Sequence, residues 1–277
     1  KMDKMPNSEL KGIVYSDLNG VNEILENNKQ NIDEICFPAL EEIPVQQYKK
    51  ISGRDQLCFT VSRGCIYKCK FCRVPISNGN EVSYRTISDI IDYLPTVITS
   101  FKSIKFIAPT FTANYDWVSE LCGAIKEKGL KFKWIVTTRL ELLDELIVKK
   151  MADSGCIAIA FGLETLYPET QLKVDKLYRN EFILKQIDIL RKHNIIPKAF
   201  IMLGIPGQSK IEIKDTYSFL RKNKIEIRPK EYYPYENFFQ ESKKLELLKF
   251  FERDDTYKTD IPGMSKLDFV KYLMDRT

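Results

Sequence analysis

The stretch QLCFTVSRGCIYKCKFC occupies residues 56–72. It opens on a strand-length apolar run, QLCFTVS (56–62), and then sets Cys65, Cys69 and Cys72 in a C-x3-C-x2-C spacing. The same kind of run recurs downstream as SIKFIAP (103–109), FKWIVTT (132–138), CIAIAFG (156–162), KAFIMLG (198–204) and, more weakly, KIEIRPK (224–230). Between them lie amphipathic stretches of helix length: SDIIDYLPTVITS, NYDWVSELCGAIKEKG, ELLDELIVKKMADSG, NEFILKQIDILRKHN and KIEIKDTYSFLRKN. Gly129 and Gly155 close two of these helices, and Ser88 or Asp89 is expected to cap the first.

A βα unit repeated in this way predicts a parallel sheet covered by helices. Right-handed crossovers then allow a doubly wound sheet or a barrel, and six units are two short of an eight-fold barrel. In either case the reactive end is the C-terminal edge of the strands. The cysteine loop follows the first strand, so it belongs to that mouth. The expected division is an N-terminal extension (1–50), an α/β core (51–235) and a short helical tail (236–277). In the extension, VNEILENNKQNIDEI (21–35) reads as a helix and CFPALEEIPVQQYKK (36–50) as a Pro-punctuated connector. In the tail, KKLELLKFFERDDTYKTD and SKLDFVKYLMDRT read as helical.

Composition narrows the class. Of 277 residues, 44% are hydrophobic and 29% charged, as in a globular protein. No run approaches the roughly 20 apolar residues of a membrane helix, and no secretion signal opens the sequence; a cytoplasmic protein is expected. The net charge is +5, without the dense basic stripe of a nucleic-acid face. That mild excess suits an anionic or carboxylate-bearing substrate. Seven cysteines are too few and too unevenly spread for a disulfide scaffold. The one histidine, His193, excludes a His-rich zinc or non-haem iron site.

Three readings of the triplet compete. Structural zinc asks for a fourth ligand, usually in two close pairs, and no second CxxC or CxxH exists. Free loop cysteines explain neither the tight spacing nor the place in the repeat. A [4Fe–4S] cluster held by three thiolates leaves one iron open to a substrate or cofactor, and an open metal position marks a catalytic site.

The motif CIYKCKFC matches C-x3-C-x-φ-C, and with SRGC, GCIAIAFGLET and FIMLGIPGQS it resembles the radical S-adenosylmethionine (radical SAM) superfamily over roughly residues 50–235. The resemblance is closest to the cobalamin-associated branch. It implies a partial (β/α)6, TIM-like barrel. It also implies that Cys65, Cys69 and Cys72 ligate the cluster, that the SAM amino and carboxylate groups chelate the open iron, and that Phe71 lies near the adenine. At the later strand ends it points to Thr110, Arg139, Glu164 and the turn of Gly204, Pro206 and Gly207 as SAM contacts. Thr110 stands where the family often has a Gly-Gly-Glu-like segment. Read without the family, these positions are a βα turn, a surface arginine, an exposed loop glutamate and an ordinary turn. The aromatic run RPKEYYPYENFF, with Tyr232, Tyr233, Tyr235, Phe238 and Phe239, either walls a substrate pocket or packs the tail.

Only about fifty residues precede the core, so a cobalamin domain is not expected. No cysteine follows Cys156, so one cluster is expected. A single cluster suits a redox-neutral outcome, such as epimerisation, isomerisation or rearrangement of a small molecule, natural-product intermediate or peptide, with a low-potential donor such as flavodoxin or ferredoxin. A thiol quenches a substrate radical well, which makes Cys156 and Cys58 candidate hydrogen donors; both also read as ordinary apolar cysteines. Methylthiolation of tRNA fits less well, because that group carries further domains and three further cysteines. The competing class is a non-catalytic iron–sulfur or zinc protein.

Overall fold

The computed structural model describes residues 13–17, 20–24, 31–233 and 261–275. Six parallel strands form the main sheet: β1 (Gln56–Thr60), β2 (Ser103–Ile107), β3 (Lys133–Thr138), β4 (Cys156–Glu164), β5 (Ile196–Leu203) and β6 (Glu226–Glu231). Each strand pairs with the next in sequence, so the sheet order is the chain order. A doubly wound sheet reverses direction at a switch point; this one never does. Right-handed crossovers in unbroken order put every helix on one face. These helices are α1 (Ile87–Ile98), α2 (Tyr115–Glu127), α3 (Glu145–Asp153), α4 (Asn180–Lys192) and α5 (Lys210–Lys222).

The opposite face curls into a lumen, since residues from the two edge strands line one cavity, Gln56 from β1 and Arg228 from β6. The fold is the expected partial (β/α)6 barrel. Among the described residues β1 and β6 do not pair, which leaves a lateral seam between them.

Strand alternation explains the two layers. Leu57, Phe59, Ile104, Phe106, Trp134, Val136, Ala199, Ile201 and Ile227 point outward and are buried with Ile90, Leu94, Leu121, Ile125, Ile147 and Leu190 of the helices. Trp134 is fully buried, and its indole N–H donates to the Ser154 carbonyl at 2.9 Å. Side chains of this size each contribute about 1.5–3 kcal/mol through burial, so this layer carries the stability and the lumen need not.

β4 departs from simple alternation twice. Trp134 lies opposite Cys156 and Ile135 opposite Ala158, so Ile157 is an extra residue on β4. Phe200 lies opposite Gly162 and Ile201 opposite Glu164, so Leu163 is a second. Each bulge inverts the facing of what precedes or follows it.

Several local expectations are corrected. α1 begins after Thr86, not at Ser88 or Asp89, which lie within it; the Thr86 hydroxyl donates to Asp33 at 2.8 Å and makes no cap bond. The expected helix over 21–35 is absent where described: Gly20–Ile24 is a strand paired antiparallel with Ile13–Asp17, and Ile32–Glu34 is a single 3-10 turn. The expected connector contains a helix, Val45–Ser52. In the tail, α6 (Lys266–Met274) is helical as expected and docks on α5 through Lys210–Asp268 at 3.0 Å and a hydrogen bond from the Tyr217 hydroxyl to the Tyr272 carbonyl. The segment 243–260 lies outside the described residues.

Candidate active site

β1 runs on through Val61, whose N–H donates to the Ile107 carbonyl at 2.9 Å. Ser62–Arg63 then pairs antiparallel with Ser83–Tyr84, closing the cysteine loop at its base. Between these rungs Gly64 has φ +84°, and a Cβ there would sit 1.7 Å from the Glu81 carbonyl oxygen. Only glycine allows this approach. The Cys65 N–H donates to the Gly79 carbonyl at 3.2 Å, and the Cys72 N–H to the Cys69 carbonyl at 2.9 Å. The three thiols therefore sit on a short loop tied at both ends.

The ends of β2 and β3 brace that loop. Thr110 is buried, with its hydroxyl 3.6 Å from the Cys65 sulfur. Arg139 donates from Nη1 to the Cys69 sulfur at 3.4 Å, lies over the Tyr67 ring at 4.0 Å and pairs with Glu141. The sequence suggested that Arg139 would grip a ligand carboxylate; its guanidinium also braces the cysteine loop. Glu141 also accepts from the Tyr178 hydroxyl. Burial would raise the Glu141 carboxyl, but hydrogen bonds from Tyr178, its own backbone and Arg139 outweigh that and hold it below its ordinary value.

Does this donor set fit a cluster? Burial pushes the Cys69 thiol up, opposed by Lys176 and Arg139, and burial likewise raises Cys72. A metal bound by thiolates displaces their protons. Among the described residues no three His, Cys, Asp or Glu side chains converge on a point that could hold a single metal ion. A mononuclear site needs such convergence, with each Zn–S bond at about 2.3 Å. A cubane does not, because each thiolate takes its own iron. Three soft donors on one short loop match a cluster with one open corner.

The ends of β4 and β5 form the other half of the mouth. Glu164 is 3% exposed and has φ +68°, a conformation non-glycine residues rarely adopt. It pairs with Lys176 at 2.7 Å, and Lys176 also donates to the Gly162 carbonyl at 3.0 Å. A Cβ at Gly162 would lie 2.1 Å from the lysine nitrogen, so the pair needs glycine there. Lys176 reaches over the Phe71 ring at 5.8 Å, which links this half to the cysteine loop. Phe71 packs against Val174, Met202, Ile205 and Tyr232. The turn after β5 is fixed by Gln208, which accepts from the Gly204 N–H at 2.9 Å and donates to the Met202 carbonyl at 3.0 Å. The Pro206 carbonyl accepts from Lys173 at 2.8 Å, and Gly207 follows with φ +76°.

Phe71, Thr110, Arg139, Glu164, Gly204, Pro206 and Gly207 thus sit around one mouth with the three cysteines. The two candidate donors part company. Cys58 is exposed on the lumen face of β1 beside Lys105 of β2. Partial shielding there pushes its thiol up, opposed by Lys105 and Arg54, so it stays protonated at neutral pH. Cys156 is buried, turned with Trp134 into the helix layer by the first bulge, at the N-terminal end of β4. Its place is the far side of the sheet from the lumen. Of the aromatic run, Tyr232 packs on the Phe71 cluster and Tyr233 donates to Glu231 at 3.0 Å; Tyr235, Phe238 and Phe239 lie outside the described residues.

Lys176, Glu141, Tyr178 and Gln208 were not singled out from sequence. Gln208 stands inside the quoted FIMLGIPGQS; the other three carry no local signal.

A family model described as the Radical SAM superfamily matches residues 59–220. An uncharacterized methyltransferase of Pyrococcus horikoshii is 27% identical over 199 residues, 71% of this chain and 43% of that protein. Cytidylyl-2-hydroxyethylphosphonate methyltransferase of Streptomyces wedmorensis is 26% identical over 209 residues, 68% of this chain and 38% of that protein. Among solved structures, the radical S-adenosylmethionine methyltransferase TsrM from Kitasatospora setae, with cobalamin and a [4Fe–4S] cluster bound, superposes with TM-score 0.68 at 14% identity, over 83% of this chain and 50% of that one. The chain spans less than half the length of the two curated relatives.

Proposed function

The chain belongs to the radical SAM superfamily, with a [4Fe–4S] cluster and SAM as its cofactors, and on that premise we propose that Cys65, Cys69 and Cys72 hold the cluster and that the substrate is a small molecule or peptide bound in the lumen. When bound, the cluster and SAM supply a 5′-deoxyadenosyl radical that takes a hydrogen atom from the substrate. The residues named here prepare the place for that event. Arg139 steadies the Cys69 sulfur through its N–H. Thr110 backs Cys65. Glu164 offers its second carboxylate oxygen to SAM hydroxyl or amino groups while Lys176 fixes the first. Phe71 and the turn at Gly204, Pro206 and Gly207 wall the adenine.

The observation that carries this reading is the gathering of seven further candidate positions, from the cysteine loop and the ends of β2 to β5, around that one mouth. Cys58 extends it to a redox-neutral outcome. Its S–H faces the lumen and gives a hydrogen atom to the substrate radical; one electron from an external low-potential donor and one proton from water restore the thiol. Cys156, on the other side of the sheet, has no route to that role. A second reading, methyl transfer, is favoured by the names of the two curated relatives.

The test is anaerobic. The chain is reconstituted with iron and sulfide, reduced and given SAM, and its products are separated by chromatography. 5′-Deoxyadenosine without S-adenosylhomocysteine supports the first reading. Both together, with methyl label reaching an acceptor, support the second. A protein that takes up zinc alone and leaves SAM intact would sink both.

A further inference from the structure

The lumen carries a charge pattern of its own. A cavity of about 560 Å³ is lined by Arg54, Lys105, Lys198, Arg228 and Lys230, and among the described residues no carboxylate lines it. Glu226 stands beside it and pairs with two of these, Lys198 at 2.9 Å and Arg228. Among the described residues Arg54, Lys105 and Lys230 have no ion-pair partner. Lys105 comes from β2, Lys198 from β5 and Arg228 from β6, so the cations reach in from opposite walls of the curled sheet.

An ordinary solvated surface mixes both signs. Here five cations share one concavity with one carboxylate at its margin. Like charges held this close repel one another unless a counter-charge joins them, and low-dielectric walls focus the field on whatever enters. The Arg228 fork suits a planar or tetrahedral oxyanion, and the lysines act as point charges toward it. The apolar lining of Ile135, Ala160 and Phe200 leaves room for a carbon skeleton beside the anionic groups.

We infer that the lumen binds a substrate carrying two or more negative charges, a phosphate ester or a polycarboxylate, anchored by Lys105, Lys198 and Arg228. This rests on the reading of the lumen as the substrate chamber. Anchoring at that level holds the substrate beside Cys58, opposite Lys105 on the neighbouring strand.

The test uses the reconstituted full chain with SAM, without oxygen. Titration calorimetry with inorganic pyrophosphate and with tricarballylate distinguishes the two sources of charge. One is expected to bind, and to bind more weakly as sodium chloride rises. Lys105→Gln and Arg228→Gln are each expected to weaken it by about ten-fold, as loss of one charge-assisted hydrogen bond does. Arg54→Gln, at an exposed and unpaired side chain, is the variant least able to disturb folding and is expected to shift binding the same way. Lys149→Gln, on the exposed surface and paired with Asp153, is expected to change nothing. If neither anion binds, or the lumen variants bind as well as the Lys149 variant, the inference is overturned. 5′-Deoxyadenosine is measured in the same samples. Its formation without anion binding would leave the radical reading standing alone; anion binding without it would leave the lumen inference standing alone.

Discussion

The mouth and the lumen are built from the same six strands, yet they handle charge in opposite ways. At the mouth the charges find partners within the chain: buried Glu164 with Lys176, and the more open Arg139 with Glu141, which also accepts from Tyr178. In the lumen, among the described residues, the cations outnumber the carboxylate of Glu226 beside them. A mouth neutralised in advance is a rigid frame, suited to a cofactor always held in one pose. A chamber with unmatched charge is completed only by what enters it. In the proposed reading, the difference separates the part that fixes the chemistry from the part that selects the substrate.

The largest effect is expected at the cysteine loop. Cys69→Ala is expected to abolish 5′-deoxyadenosine formation and iron retention together, measured by chromatography and metal analysis. Lys105→Gln, in the lumen, is expected to leave both intact. If the two variants behave alike, the division between mouth and lumen breaks.

Next comes the buried pair. Glu164→Ala leaves Lys176, whose side chain is 5% exposed, without its counter-charge. Stranding a buried charge costs about 3–5 kcal/mol, read from the urea midpoint. Lys105→Gln is expected to stay within about 0.5 kcal/mol, as substitutions away from packed networks do. Restoring most of the loss in Glu164→Ala/Lys176→Met would sharpen the point that the cost is the unpaired charge.

A smaller effect is set by pH. Glu141 has its carboxyl held below the ordinary 4.5 in the folded chain. The stability it contributes is therefore present above about pH 4.5 and lost as pH falls through the lower folded value. A melting-temperature series from pH 6 down to pH 3 is expected to slope less in Glu141→Gln than in the parent. Equal slopes would show that this carboxylate has no part in acid sensitivity.

The smallest effect on the fold, and the most specific on the outcome, belongs to Cys58→Ala. Stability and SAM cleavage are expected to persist. With a substrate in hand, the hydrogen returned to the product is expected to disappear or to come from elsewhere, read as solvent deuterium incorporation. An unchanged pattern would remove Cys58 from the mechanism.

The first five strands were legible because each carries four or more apolar residues within seven, bounded by polar turns; β6, with only Ile225 and Ile227, was legible from its place in the repeat. All six begin and end within two residues of the sequence expectation. The cysteine loop was legible for a different reason: its chemistry is local, three ligands in eight residues. What could not be read was facing and long-range pairing. Cys156 looks as well placed as Cys58 in the sequence, and only the extra residue Ile157 turns it outward. Arg139 stands where a ligand contact was expected, and its pairing with Cys69, seventy positions earlier, and with Glu141 carried no sequence signal. Lys176 finds Glu164 twelve residues back, across a short helix, Pro168–Lys173, that no periodicity announced. The expected helix at 21–35 failed because the residues of VNEI, taken alone, pair as readily across a hairpin as they coil.

The open seam has a consequence for life in a crowded solution. Among the described residues β6 is the last strand of the sheet, and such strands invite other chains to add to them. β6 contains Pro229, which has no N–H, flanked by the charged Arg228 and Lys230. An intruding strand would meet a gap in the row of donors and repulsion on both sides of it. The edge of β6 is thus a poor template for aggregation.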